Sequence, residues 1–199
     1  VKGDGIGMSH DINITGTGEL DNGMTYSVKS NFAGQDMGAD SVILKIDMGD
    51  MGTLALDQGS GGFGIGTLEN EVPTAYEEAS HAVGTLSHGI DRNSAMNVLG
   101  YSNTFLGLGV SVEYNPEISA TTAQGAGGVT GGVSTGSELN YALTYAVPSM
   151  DGLTLAYGAA DTNHGTAESS ETSEQVAAVN YVMGALSMGV SISESITTG

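Results

Sequence analysis

The chain has 199 residues, enough for one domain of any class. Its formal net charge of −19 excludes nucleic acid and anionic headgroups as favoured partners, and the absence of cysteine excludes disulfides and thiolate metal sites. No window approaches eighteen consecutive apolar residues, so no transmembrane helix is predicted. Mean hydropathy is near zero, which suits either an ordinary core or a sheet with one apolar and one polar face.

The predicted elements are short alternating strands. Asp11 to Leu20 puts Ile12, Ile14 and Leu20 on one face, and Asp21-Asn22-Gly23 turns it, since Asn-Gly accepts positive φ. The return strand carries Met24, Tyr26, Val28 and Phe32 on its apolar face and Thr25, Ser27, Lys29 and Asn31 on the other. A link over 34–39 leads to Ser41–Met48, where Lys45 and Asp47 lie opposite Val42, Leu44 and Ile46. The turn Gly49-Asp50-Met51-Gly52 precedes a short strand to Asp57. A connection over 60–95 follows, then a strand over Asn97–Ser102 and a turn over 104–107. Leu108, Val110, Val112 and Tyr114 alternate with Gly109, Ser111, Glu113 and Asn115. Residues 116–137 read as a Gly/Thr/Ala-rich loop. Leu139, Tyr141, Leu143, Tyr145 and Val147 form the clearest stripe, and Pro148–Gly152 turns it into Leu153, Leu155 and Tyr157. A polar loop is predicted over 161–173, then Val176–Met183, of ambiguous register, and a final strand from Leu186 to Ser193.

Ten strands with alternately tight and long connections point to an all-β, antiparallel transmembrane barrel forming a single domain over 1–199. Such barrels have short turns on one membrane side and longer loops on the other. The 60–95 stretch is the outlier, because a structureless connection of that length is usually functional. It holds Glu69, Glu71, Glu77, Glu78, Asp91 and Arg92, with His81 and His88. It is expected to fold into the lumen and narrow it.

Four stretches carry a resemblance to the general bacterial porins of Gram-negative outer membranes. They are Gly49-Asp50-Met51-Gly52-Thr53-Leu54, Pro73-Thr74-Ala75-Tyr76-Glu77-Glu78, Asn97-Val98-Leu99-Gly100-Tyr101, and Ser149-Met150-Asp151-Gly152-Leu153-Thr154-Leu155-Ala156-Tyr157-Gly158. Their order is more specific than any one of them. The resemblance implies a sixteen-stranded barrel of which these ten strands are a part, with 60–95 as the constriction loop. The chain is then expected to be incomplete: Val1 is no natural start, no secretory signal is read, and the terminal aromatic residue of the family is missing. The resemblance also implies a homotrimer in outer-membrane lipid, packed through the early strands, where Gly16 and Gly18 would permit close approach.

By the same likeness the protein allows passive diffusion of ions and small hydrophilic solutes through a water-filled channel. The loop acids Glu69, Glu71, Glu77, Glu78 and Asp91 are expected to face Lys29, Lys45 and Arg92 at the constriction. The lumen register carries Asp11, Glu19, Asp47, Asp57 and Glu113 against only Lys29 and Lys45, which argues for a cation preference. Exposed loop acids also serve simply to keep a loop solvated. No cofactor is expected. Glu77, Glu78 and Asp91 could bind calcium, a hard cation that takes carboxylate oxygens, though no EF-hand spacing is present. His81 and His88 read as polar loop residues. No motif assembles a catalytic triad, a phosphate loop or a dinucleotide site, so no enzyme is expected. The alternative is a structural or adhesive surface β-protein whose long loops bind partners.

Overall fold

The computed structural model describes residues 12–33, 38–57, 62–68, 98–118, 136–163 and 171–198. They form one antiparallel sheet of ten strands in sequential order. The strands are β1 (Ile12–Glu19), β2 (Thr25–Ala33), β3 (Gly38–Asp47), β4 (Thr53–Asp57) and β5 (Val98–Phe105), then β6 (Leu108–Ile118), β7 (Gly136–Ala146), β8 (Leu153–Asn163), β9 (Glu171–Met183) and β10 (Leu186–Thr198). Among the described residues no helix is long and apolar enough to cross a membrane.

Each tight turn is made by local chemistry. In the first, Leu20 and Met24 close the hairpin backbone, the Met24 amide donates to Asn22 Oδ1 at 3.1 Å, and Gly23 takes φ 84°. At the next, the Tyr101 hydroxyl donates to the Met51 carbonyl at 2.9 Å, which ties the turn to β5.

The two faces of the sheet differ as the alternation demands. One row on the outer face runs Val28, Leu44, Leu56, Leu99, Tyr114 and Leu139 across β2 to β7. Leu56, Leu99, Tyr114 and Leu139 are exposed there, as are Val179, Val190 and Ile192 further along the sheet. Of the ten aromatic residues described, nine share this outer register: Tyr26, Phe32, Tyr101, Phe105, Tyr114, Tyr141, Tyr145, Tyr157 and Tyr181. The tenth, Phe63, is buried on the opposite face, against Gly100. A soluble core would gather these rings inward. Their display on an exposed face is the pattern of a sheet whose outer solvent is lipid.

The register also gives the strand tilt. The row that meets the β3–β4 turn at Asp47 and Thr53 continues through Ser102, Ser111, Ala142, Gly158 and Val176. The β9–β10 turn closes at Met183, seven residues beyond Val176. With the turns at one level, about 3.3 Å per residue and about 4.8 Å per strand give roughly 23 Å of stagger over roughly 24 Å of sheet. That is a tilt of about 45°, at the upper end of the range for closed barrels. From β1 to β4 no stagger accumulates, since Glu19, Thr25, Asp47 and Thr53 share one row.

Tilt explains where the structure departs from the sequence reading. Residues 161–163 and 171–173 do not form a loop; they pair as the ends of β8 and β9, with Ser173 Oγ donating to Asp161 Oδ1 at 2.8 Å. They are polar because the row that is apolar through Leu139 has climbed above the apolar band by the time it reaches Asp161 and Ser173. Likewise β6 runs through Pro116 to Ile118, β7 starts at Gly136, β5 continues to Phe105, and β3 begins at Gly38. The register of β9 is single: Val176 and Ala178 are buried on the inner face, and Ala177 and Val179 are exposed on the outer one. Gly18 does not offer a surface for close approach, because the Tyr26 ring fills its space, whereas Gly16 has nothing near it.

Candidate functional site: the inner wall and its covering segment

The inner face is built from the positions between the apolar ones. Its most informative row runs Thr17, Ser27, Lys45, Ala55, Gly100, Glu113, Asn140, Ala160 and Glu174 across β1 to β9. On β1 to β3 this face is open: Thr15, Thr17, Glu19, Lys29, Lys45 and Asp47 are exposed. On β6 to β9 it is covered. The cover is residues 62–68, which include a 3-10 turn over Gly64–Leu68.

Three kinds of contact hold this segment. The first is apolar. Ile65 and Leu68 are buried among Ala142, Ala156, Ala160, Val176 and Ala178, so small side chains on the wall make room for large ones on the segment. Gly158 lies directly beneath them; a Cβ there would come within 2.8 Å of Ile65 and 2.9 Å of Leu68. Gly100 does the same for Phe63, whose ring would overlap any added Cβ.

The second contact is polar. The Gly64 amide donates to Ser111 Oγ at 2.8 Å, and the Ile65 amide donates to Asn140 Oδ1 at 2.9 Å. Asn140 is oriented in turn, since its Nδ2 donates to Glu138 Oε1 at 2.6 Å. An amide whose nitrogen is fixed by a carboxylate must turn its oxygen the other way, here toward the segment. Thr162 Oγ1 donates to the second oxygen of Glu138 at 3.3 Å. Gly64 sits at φ +62°, a conformation that suits glycine, with Asn140 against it. The third contact is at the margin, where Lys45 Nζ lies 5.7 Å from the centroid of the Phe63 ring, within cation–π range.

Lys29 and Lys45 stand on the inner face, two residues apart in register: Lys45 pairs with Ser27, and Lys29 with Ile43. Glu19, Asp47 and Asp57 share that face. Glu113 also faces inward but is 1% exposed, so it lies under the cover rather than in the open lumen. Glu69, Glu71, Glu77, Glu78, Asp91 and Arg92 lie outside the described residues, and with them the calcium candidates and the histidines. Among the described residues no group of three or more acids and histidines is placed to hold a metal.

Sequence reading missed Glu138, Asn140 and Glu174, all buried on the inner face. Glu138 and Asn140 were legible as the polar residues on either side of Leu139, in the alternation of the clearest stripe. The run of Ala and Gly at inward positions of β7 to β9 was a second signal, since an open polar lumen has no need of it.

A family model described as Gram-negative porin matches residues 1–199. The chain belongs to that family. This porin is therefore a bacterial outer-membrane protein of the β-barrel type, and the apolar outer face described above is its lipid face. No curated protein matches the chain. Among solved structures it is similar to OmpT, an outer membrane protein of Vibrio cholerae folded in vitro, with 12% identity and a TM-score of 0.41 over 94% of this chain and 69% of that one.

Proposed function

We propose that this porin is a passive, cation-preferring channel for ions and small hydrophilic solutes, working as a homotrimer. The observation that carries the reading is the two-faced sheet with a segment folded against its polar face. A lipid-facing wall with a hydrophilic interior conducts, and a segment lying against that interior narrows it. The trimer rests on family membership. The outer surface of β1 adds some support: Ile12 and Ile14 are exposed there, and Gly16 leaves open space beside them.

Cation preference rests on the excess of acids, and on Glu69, Glu71, Glu77, Glu78 and Asp91, which follow the covering segment in the chain. A low-dielectric wall focuses their field where the pore is narrow. Salt screens exposed charges beyond about 8 Å at physiological strength, so charges at the constriction govern selectivity. Neutralising Glu77 and Glu78 to Gln is expected to lower the cation-to-anion permeability ratio of the full-length protein, more in dilute salt than in concentrated salt. Reversal potentials across a salt gradient read this directly. An anion-selective wild type, or a double variant with an unchanged ratio, contradicts the proposal.

A further inference from the structure

On β7 to β10 the outer register changes character at one height. Ser137, Asp161, Gln175 and Glu194 are the first residues of that register, counted from the turns, that are neither apolar nor aromatic. Each lies eight positions along its strand from the lowest outward residue, respectively Tyr145, Leu153, Met183 and Leu186. At about 3.3 Å per residue and the tilt of about 45°, that is a rise of roughly 19 Å. Membrane barrels carry an apolar band about 25 Å tall. The strands alone therefore fall short of the lipid they would have to cover.

The missing height lies at the other end, in the turns. Met51 and Met150 are exposed at the tips of the β3–β4 and β7–β8 turns, and Leu106 is fully exposed in the β5–β6 turn. Phe105 and Leu108, which flank Leu106, are exposed with it, as are Met183 and Leu186 at the last turn. A tip reaches one or two residues beyond its strands, about 3–5 Å, which closes most of the gap. These side chains continue the apolar outer face downward without a polar break.

Leu106 is the most telling of them. It takes φ +51°, the left-handed conformation, and no other non-glycine residue described does so. The following Gly107 takes φ +84°, so both central residues of this two-residue turn are left-handed. Asn, Asp or Gly is the ordinary choice at such a position, and a branched apolar side chain is strained there. In water Leu106 would be unfavourable twice, in its backbone and in its exposed surface. An apolar surrounding offsets both.

The charge of the turns narrows the partner. Asp21, Asp50 and Asp151 lie in three of them, and none of the tight turns holds a lysine, arginine or histidine. An anionic headgroup is repelled by that rim, whereas a primary ammonium donates to its carboxylates. We propose that the tight turns are not in free water but seated in the adjoining lipid leaflet, with Met51, Leu106 and Met150 in the upper acyl region, among zwitterionic phospholipids whose headgroups end in a primary ammonium. The barrel thus meets lipid past the ends of its strands.

The first test is the sign of one substitution. Leu106→Asn relieves the backbone strain and removes the apolar side chain. With the full-length protein refolded into phosphatidylethanolamine-containing vesicles, it is expected to lower the folding equilibrium constant from urea titration roughly threefold to tenfold, because lost lipid burial outweighs the relief. A tip standing in water predicts the opposite sign, and a variant as stable as the parent or more stable overturns the proposal.

The second test uses the absence of tryptophan from the sequence, with the parent protein as the blank. Met150→Trp is expected to be quenched by phospholipid brominated high on its acyl chains and protected from acrylamide. Ser187→Trp, one residue from a turn but on the inner face, is expected to behave in the reverse way. Quenching of position 150 by acrylamide and not by bromine overturns the seating of the turns. Replacing phosphatidylethanolamine with phosphatidylglycerol of the same acyl chains is expected to weaken the bromine quenching at 150; equal quenching overturns the headgroup assignment. Neither readout needs a conducting pore, so failure here and failure of the channel reading are told apart.

Discussion

Arginine at Val190 is expected to destabilise the folded protein in lipid by about 2–4 kcal/mol, whereas arginine at the next residue, Ser191, is expected to be nearly neutral. Both positions are exposed, and they are adjacent on β10. They differ only in the face they occupy. Val190, 67% exposed, pairs with Val179 on the apolar face, and Ser191 pairs with Ala178 on the inner one. Val190 lies four residues above the turn residue Leu186. At the tilt found here that is roughly 10 Å, well inside an apolar band about 25 Å tall. A guanidinium there must desolvate, snorkel or thin the bilayer. On the inner face it meets water. Urea titration of the two variants refolded into vesicles measures the difference. In a water-soluble sheet two exposed positions would respond alike, each within about 0.5 kcal/mol.

The second large effect concerns the covering segment. Gly158→Val is expected to expel residues 62–68 from the wall while leaving the sheet intact. Even a Cβ at this position would crowd Ile65 and Leu68, and it would lie 3.2 Å from the Tyr141 carbonyl, which is backbone and cannot swing aside. The two γ-methyls of valine add to the clash. The cheapest relief is for the segment to leave, because it is held by side-chain contacts and two backbone donations and not by the ladder. Displacing Ile65 and Leu68 forfeits about 1.5–3 kcal/mol each of apolar burial. Asn140 and Glu138 then face water. Two changes are expected together: a larger single-channel conductance, and faster cleavage within 62–68 by a protease that leaves the wild type uncut there. Unchanged conductance with unchanged cleavage would mean that the segment does not narrow the pore.

The outer face was readable because its signal is local. Leu139, Tyr141, Leu143 and Tyr145 declare a strand by period alone, and the Asn22-Gly23 and Asp151-Gly152 pairs declare their turns. Strand ends were not readable in the same way. Once a tilted strand rises above the lipid its outward residues turn polar, and Asp161, Ser173 and Glu194 then look like loop while the ladder continues beneath them.

The site was legible only in part for a different reason. That Lys29, Lys45 and Glu113 face inward follows from alternation, but whether an inward residue meets water depends on what covers it. The contacts that decide this, such as Ile65 to Asn140 across 75 residues of chain, leave no local periodicity. Alanine and glycine at inward positions of β7 to β9 were the trace that the covering segment left in the sequence.

The assignment of lipid to one face and water to the other is tested most directly by accessibility along β10. The chain has no cysteine, so single cysteines at Val190, Ser191, Ile192 and Ser193 can be placed without background. With the protein in lipid vesicles, a membrane-impermeant charged maleimide is expected to label positions 191 and 193 quickly and positions 190 and 192 hardly at all. Equal labelling at all four positions, or labelling confined to 190 and 192, would contradict the lipid-facing outer wall and the channel that depends on it.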